Sequence, residues 1–141
     1  MPKTLKAPKP RRKPAKDDRP IQTGLKVPFD LADFAKVTAT PCPCGASRRA
    51  FIRDDNKVLS VHLVEISRDS QTHYHKAQTE TYYFLEGKGE VELDGKRFPV
   101  KPGMTLMIRP GTRHRAIPGT EPMKILNIVV PPFDPADEWF D

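Results

Sequence analysis

Residues 71–85 of the chain read QTHYHKAQTETYYFL. Side chains two residues apart in an extended strand point to the same face, so a strand over residues 71–75 would direct the imidazoles of His73 and His75 to one point. Glu80 opens an aromatic run that favours a second strand, and the four residues before it are long enough to turn the chain. The stretch therefore predicts two neighbouring strands that bring two imidazoles and a carboxylate together.

A third imidazole, that of His114, follows a tight turn predicted at Pro110-Gly111. Each of these polar residues, taken alone, is also an ordinary surface or hydrogen-bonded core residue. Taken together, three neutral imidazoles and one carboxylate can hold a first-row divalent ion, and a six-coordinate ion would keep two positions for water or substrate. The predicted metal ligands are His73, His75, Glu80 and His114.

Both halves of this pattern resemble the two sequence motifs of the cupin superfamily. The first motif expects His-x-His, a glutamate and a glycine, and the second expects a glycine, Pro-x-Gly, a histidine and an asparagine. In this chain the proline stands one place later, at Pro110, and Pro118 occupies the asparagine position. The matching residues are His73, His75, Glu80 and Gly87 for the first motif and Gly103, Gly111 and His114 for the second. The resemblance extends from about Lys57 to Val130.

The resemblance implies an all-β fold, a double-stranded β-helix or jelly-roll barrel, with a divalent transition metal on the four ligands. Fe, Mn, Zn, Ni and Cu all suit such a ligand set, and the fold does not choose among them. We expect a metal-dependent enzyme of the oxygenase, isomerase, lyase or decarboxylase type that acts on a small polar or anionic metabolite. The alternative is a non-catalytic module that binds or senses a small molecule. Cupins of this size often pair, so we also expect a homodimer.

The residues outside the motifs favour an all-β fold on their own account. Short segments of strand character alternate with Asp-Gly and Pro-Gly turn signals, and no helical period appears, which is typical of an antiparallel sandwich or jelly roll. His62 lies in the first of these segments, matches no motif position and is predicted to be structural. The predicted strands are residues 58–66, 71–75, 80–86, 89–93, 96–100, 105–108, 114–117 and 123–130.

The length of 141 residues suits one domain. We divide the chain into a basic, proline-rich tail at residues 1–24, a connecting segment at 25–56, and the barrel with a C-terminal extension at 57–141. The first twenty residues carry eight Lys or Arg and two Asp, so they account for the whole net charge of +6. The tail almost lacks large apolar side chains, and we expect it to be disordered. The tail is expected to be either a solvated extension or a segment with a weak, salt-sensitive attraction to nucleic acid. We expect no nucleic-acid binding by the rest of the chain.

The connecting segment contains Cys42 and Cys44, one residue apart. Two thiols cannot complete a four-ligand zinc site, so free, reduced thiols in a loop are expected. The low cysteine content predicts a cytoplasmic protein, and because no apolar run is long enough for a transmembrane helix, no membrane partner is expected. Arg48 and Arg49 follow, and they are either solvated or reach an anionic ligand.

Tyr82 is the candidate catalytic residue. It lies two positions beyond Glu80, so a strand would place both side chains on the inner face of the barrel. Its phenol would donate or accept a proton, or bind a substrate by a hydrogen bond. The alternative is that the ring fills the barrel and a neighbouring residue satisfies its hydroxyl group. Aromatic residues near the C-terminus, among them Trp139, are predicted to fix the extension against the barrel or a second subunit.

Overall fold

The computed structural model describes residues 29–141, so the tail predicted at residues 1–24, with its expected disorder and nucleic-acid attraction, lies outside the described residues. Residues 29–141 form nine strands and one turn of 3₁₀ helix, which confirms the all-β fold class. Across this range no helix is long and apolar enough to cross a membrane. The elements are β1 (Thr40–Cys42), β2 (Gly45–Ala50), β3 (Ser60–Ile66), β4 (Thr79–Glu86), β5 (Gly89–Leu93), β6 (Lys96–Val100), β7 (Thr105–Ile108), β8 (His114–Pro118), β9 (Met123–Val130) and the 3₁₀ turn Pro135–Asp137.

The strands form two sheets in which every pairing is antiparallel. The larger sheet has the order β1-β2-β3-β9-β4-β7, and the smaller has the order β6-β5-β8. One buried core joins them, with Val91 and Ala116 from the smaller sheet and Phe84 and Ile125 from the larger. The two sheets therefore pack face to face, as the predicted jelly roll requires.

Strand alternation fixes which side chains face this core. In β9 every second residue from Met123 to Val129 is buried, and in β3 every second residue from Ser60 to Ile66 is buried. Because successive side chains point to opposite faces, these residues share the inner face. Three of them, Ser60, His62 and Asn127, are polar, and His62 and Asn127 lie opposite each other in the β3–β9 register. The inner face of the larger sheet is therefore not wholly apolar.

Two turns take the conformation that their sequences predict. Asp94 and Gly95 join β5 to β6 with φ of 47° and 79°, the positive values that a type I′ hairpin needs. Gly87 follows β4 with φ of 75°, and a Cβ atom there would overlap the carbonyl oxygen of Pro122. Glycine at this motif position serves both the backbone conformation and the close approach of the chain before β9.

The strand predicted over residues 71–75 is wrong. Within this segment only His73 and Tyr74 make isolated β-bridges, to His114 and Trp139 respectively. The two bridges reach different segments of the chain, so no continuous ladder forms.

The larger sheet begins earlier than the sequence pattern indicates. Its strands β1 and β2 come from the connecting segment at residues 25–56, and β2 pairs with β3 so that Arg49 lies opposite His62. Pro41 is tolerated because β1 is an edge strand, where a missing N–H need not break the ladder. Part of the inner face is therefore built by residues that precede the motif region.

Candidate metal centre

The four predicted ligands lie together inside the sandwich. Their ligand atoms all lie within 4.8 Å of one another, so the side chains of His73, His75, Glu80 and His114 could hold one ion. His75, Glu80 and His114 are buried, with relative exposures of 4%, 7% and 1%, whereas His73 is partly exposed. His62 is not part of this group.

Different elements hold the four side chains. Glu80 is the second residue of β4 in the larger sheet, and His114 opens β8 in the smaller sheet. His73 is fixed to His114 by two backbone hydrogen bonds, with N···O distances of 3.1 and 2.8 Å. The carbonyl of His75 accepts a bond of 2.7 Å from the N–H of Gly111, in the turn before β8. The two motifs are therefore joined through their backbones as well as their side chains.

Each imidazole is oriented by a backbone carbonyl. Nδ1 lies 2.9 Å from the Gln71 oxygen in His73, 2.7 Å from the Asp137 oxygen in His75 and 2.9 Å from the Thr112 oxygen in His114. A carbonyl can only accept, so each Nδ1 carries a hydrogen. In the neutral rings the lone pair is then on Nε2. This is the arrangement by which proteins orient histidine ligands for a metal.

The carboxylate of Glu80 faces these Nε2 atoms. Its Oε2 lies 2.9 Å from Nε2 of His114 and 3.4 Å from Nε2 of His75, and it accepts a hydrogen bond of 3.2 Å from the Tyr82 hydroxyl. Oε1 accepts a bond of 2.6 Å from Nδ2 of Asn127. Asn127 and Tyr82 therefore hold the carboxylate from two sides.

The donor set fits a divalent cation. Nε2 of His75 is buried and has no hydrogen-bond partner among the described residues. Lone pairs on imidazole nitrogens repel a carboxylate oxygen unless a proton or a cation lies between them. Three nitrogen donors and one carboxylate oxygen are ligands that first-row divalent ions accept. The residues present thus suit a transition metal, whose identity this ligand set leaves open.

The charges in the centre shift several pKa values. Burial works against ionisation of Glu80, but its contacts with the His114 and His75 imidazoles hold its pKa well below the usual range. The pKa of His75 is raised: burial opposes its charged form, and Glu80 outweighs that effect. The pKa of His73 is lowered by burial and by the neighbouring His114. Burial and the Glu80 charge raise the pKa of Tyr82 well above its usual value, so its phenol stays protonated at neutral pH.

A cavity of about 160 Å³ adjoins the centre, and His73, Glu80 and Tyr82 contribute to its wall. This volume is smaller than the roughly 300–1,000 Å³ of sites that hold drug-sized ligands. Residues from the connecting segment, from the barrel and from the C-terminal extension complete the wall. They include Cys42, Cys44, Ser47, Arg49, His62, Asn127, Phe133, Glu138 and Phe140.

The C-terminal extension packs against the barrel, as predicted. The Trp139 backbone pairs with Tyr74, and the Asp137 carboxylate accepts hydrogen bonds of 2.9 Å from the N–H groups of Lys76, Ala77 and Gln78. The Phe133 ring lies edge-on against His62, with centroids 5.3 Å apart. The extension therefore supports the loop that carries His75 and closes one side of the cavity.

Both cysteines are free, as predicted, and line the cavity. Cys42 ends β1, and Cys44 lies in the turn before β2, with the two sulfur atoms 2.9 Å apart. A hydrogen bond from Cys44 outweighs partial burial and lowers the pKa of Cys42 to about 6. The same bond, together with burial, raises the pKa of Cys44.

Some site residues lay outside the sequence predictions. Asn127 had a visible signal, because it interrupts the apolar inward positions Ile125 and Val129 of β9. Asp137 and Ser47 gave no such signal, since their roles depend on contacts between segments distant in the sequence.

Comparisons with known proteins agree with the geometry. A family model of the cupin domain matches residues 61–129. An uncharacterized protein of Methanocaldococcus jannaschii is 38% identical over 80 residues, which are 56% of this chain and 64% of that protein, less than two thirds of its length. The L-ectoine synthase of Bordetella avium is 32% identical over 89 residues, which are 61% of this chain and 67% of that enzyme.

A solved structure gives the same result at the level of the fold. The crystal structure of a protein from Planctomyces limnophilus superposes with a TM-score of 0.72 at 37% sequence identity, covering 79% of this chain and 96% of that one. The chain itself carries both motifs, the two packed sheets and the cluster of three histidines and one glutamate. On these grounds the chain belongs to the cupin superfamily.

Proposed function

We propose that this cupin is a metal-dependent enzyme that acts on a small polar or anionic metabolite. The observation that carries the proposal is the orientation of three imidazoles. A backbone carbonyl engages each Nδ1, and the Nε2 atoms gather beside the Glu80 carboxylate at the wall of a small cavity. The similarity to an L-ectoine synthase, an enzyme by its name, supports a catalytic role on a small molecule.

The chain's own residues would perform distinct tasks. A bound divalent ion would supply Lewis-acid or dioxygen chemistry, according to which metal is loaded. His73, His75, Glu80 and His114 would hold it, while Asn127 fixes the orientation of the Glu80 carboxylate through its 2.6 Å hydrogen bond. The buried setting limits the access of water, which strengthens electrostatic interactions inside the cavity.

Tyr82 is the proposed catalytic residue. Its hydroxyl group is buried, and its raised pKa favours the protonated phenol. It is therefore suited to donate a proton or a hydrogen bond to a substrate atom beside Glu80, rather than to act as a base. A donor of this kind would stabilise negative charge that develops on a substrate oxygen.

Metal analysis tests the proposed centre. Full-length protein purified without chelators should contain about one transition-metal ion per chain, and Glu80→Gln or His114→Gln should lose most of it. His62→Gln is the matched control, because His62 is equally buried but lies outside the ligand group. Wild-type protein that binds none of Fe, Mn, Ni, Zn or Cu, by elemental analysis and by thermal shift, would refute the metal centre.

Turnover separates an enzyme from the alternative, a binding or sensing module. The metal-loaded protein should convert a small metabolite in oxygenase, isomerase, lyase or decarboxylase assays, and chelation should abolish this activity until the ion is restored. A ligand that co-purifies with the metal-loaded protein and is never converted would favour the binding module instead.

We also propose that the chain pairs with a second copy. The outer face of the larger sheet carries exposed apolar side chains at Tyr83, Leu85 and Met107, and half-buried ones at Leu126 and Ile128. A sheet face open to water is expected to be polar, whereas a covered one is apolar. A second copy of the chain would cover this face.

A further inference from the structure

Arg49 belongs to a row of polar side chains that crosses the larger sheet. It lies opposite His62, His62 lies opposite Asn127, and Asn127 lies opposite Tyr82. All four side chains line the cavity. Arg49 and Tyr82 are thus three strand spacings of about 4.8 Å apart, with Tyr82 beside the metal centre and Arg49 at the far end of the row.

No Asp or Glu among residues 29–141 forms an ion pair with the Arg49 guanidinium, and its charge adds to the Cys44 hydrogen bond in lowering the pKa of Cys42 on the same cavity wall. Within the same range the guanidinium makes no hydrogen bond, and its Nε is buried without a partner. Its Cζ lies 4.4 Å from the centroid of the Phe133 ring, a contact that orients the group but does not neutralise it. The side chain is half-buried with its Nε enclosed, and it lines the cavity, so this position suits an anionic group from a ligand.

Arg48, the preceding residue, differs in all these respects. Its side chain donates a hydrogen bond to the Val37 carbonyl and does not line the cavity. Adjacent residues on a strand point to opposite faces, which explains the difference. The two arginines that the sequence left undecided are therefore separated by strand alternation, and Arg48 is a natural control for Arg49.

A second donor accompanies Arg49. Ser47 lies two residues earlier on β2, on the same face, with a relative exposure of 3%. Ser47 lines the same cavity, and its buried Oγ has no hydrogen-bond partner within the described part of the chain. A hydroxyl and a guanidinium on one strand face can bind the two oxygens of one carboxylate.

The cavity also presents an acceptor. Oδ1 of Asn127 is buried and unpartnered within residues 29–141, while its Nδ2 donates to Glu80. The Glu80 contact fixes the amide orientation, because a flipped amide would place two oxygens against each other. Oδ1 is therefore suited to accept a hydrogen bond from a hydroxyl or amino group of a ligand.

The charges favour a carboxylate over a phosphate. The cavity wall includes no lysine, Arg49 is its one arginine among the described residues, and Glu80 and Glu138 add negative charge that disfavours a second charge on the ligand. His62 adds no charge at neutral pH, because burial and then the Arg49 charge lower its pKa to about 4. One guanidinium balances one carboxylate, whereas phosphate sites usually gather more positive charge or backbone N–H groups.

We propose that Arg49 and Ser47 form a carboxylate-binding subsite at the end of the cavity away from the metal centre. The substrate class is then a small carboxylate whose hydrogen-bond donor meets Asn127 and whose reacting group lies at His73, Glu80 and Tyr82. The assignment of the reacting end rests on the proposed function, whereas the carboxylate subsite is a property of β2 alone.

Linear dicarboxylates test the subsite, with glutarate as the probe and glutaramide as its uncharged counterpart. Binding is measured by titration calorimetry on full-length protein, once loaded with metal and once with EDTA. Arg49→Gln should weaken glutarate binding about tenfold or more, as expected for loss of a hydrogen bond to a charged group, and Ser47→Ala should weaken it several-fold. Arg48→Gln should change the affinity less than about twofold. Glutaramide should bind weakly to every variant.

The EDTA arm separates this inference from the metal proposal. Glutarate binding that depends on Arg49 with EDTA present supports the subsite even if no metal ever binds. Equal affinities for wild type and Arg49→Gln, an equal loss in Arg48→Gln, tighter binding of inorganic phosphate than of glutarate, or no binding of glutarate by the wild type would each overturn it. Should Arg49→Gln fail to fold, Ser47→Ala and Arg49→Met provide the same comparison, because methionine keeps an apolar stem and removes the charge.

Discussion

A few polar atoms determine what the cavity can do, and the Tyr82 hydroxyl is one of them. It lies 3.2 Å from Oε2 of Glu80 and is buried with it. The strand alternation that positions Glu80 also positions the phenol, which is not itself one of the candidate ligands.

Tyr82→Phe removes this hydroxyl group and keeps the ring that fills the core. We expect turnover of the metal-loaded protein to fall by about 10²–10⁴, the usual contribution of a positioned proton donor. Metal content should stay near the wild-type level, because Tyr82 is not a ligand and Asn127 still holds the Glu80 carboxylate through its 2.6 Å hydrogen bond. Full activity of Tyr82→Phe would show that the tyrosine only packs in the barrel.

The thiol of Cys42 offers a measurable pH dependence. Because its pKa is lowered to about 6, chiefly by the hydrogen bond from Cys44, the reactive thiolate forms as pH rises through about 6. Iodoacetamide should therefore label Cys42 at neutral pH, while Cys44, whose pKa is raised, reacts later.

Peptide mass spectrometry after timed labelling gives the apparent midpoint. In Cys44→Ala the supporting hydrogen bond is absent, so the midpoint for Cys42 should move up towards about 8.5, the value of a free cysteine. A wild-type midpoint that is already near that value would mean that the two sulfur atoms do not share a proton.

Among the elements of the fold, the 3₁₀ turn Pro135–Asp137 has the largest influence on the site for its length. Its Asp137 carboxylate accepts hydrogen bonds from three consecutive N–H groups after His75, and its carbonyl oxygen orients the His75 ring. This single residue fixes both the loop and the imidazole.

Asp137→Asn replaces one acceptor oxygen by an NH₂ group that faces backbone donors. We expect a loss of about 1–3 kcal/mol in the free energy of unfolding, in the range of hydrogen bonds to charged groups. Metal affinity should fall as well, because the His75 loop loosens. Urea denaturation and metal titration measure the two effects.

Asp134→Asn is the control, since Asp134 caps the same turn by accepting from the Ala136 N–H and asparagine caps equally well. It should change stability by about 0.5 kcal/mol or less. Equal effects of the two substitutions would contradict the special role of Asp137.

How far the sequence predicted each element depended on how local its signals were. From residue 79 onward, alternation and Gly-containing turns placed β4 to β9 within about one residue of their observed bounds, because these strands carry their own signals. β1 and β2 were not predicted, since Pro41 and Pro43 suggested a loop and only the edge position makes β1 possible. The segment at residues 71–75 failed for a related reason, as its two bridges reach partners distant in the sequence.

The residues of the site also differ in how far local sequence signals predict them. The four candidate ligands and Tyr82 were predictable because motif spacing and strand alternation specify them locally. Asn127 had a local signal as a polar residue among apolar inward positions of β9. The roles of Asp137 and Ser47 depend on segments distant in the sequence, and they became visible only in the folded chain.

For the whole molecule, the second copy proposed on the outer sheet face has a direct test. Light scattering at tens of micromolar protein should give twice the mass of one chain. Met107→Lys places a charge in the exposed apolar face and should yield monomers. Val58→Lys, at a 70% exposed apolar position outside the strands, is the control and should remain dimeric. A wild-type mass of one chain would contradict the proposal.

The edge hairpin of β1 and β2 has a broader consequence. Within the larger sheet it joins the rest of the barrel through β3 alone, it contributes none of the four candidate ligands, and it carries Arg49, Ser47 and both thiols. The residues proposed to bind the ligand carboxylate therefore lie on a different element from the four candidate metal ligands. Replacement of this hairpin by another one would change which ligand binds, while the four candidate metal ligands would stay unchanged.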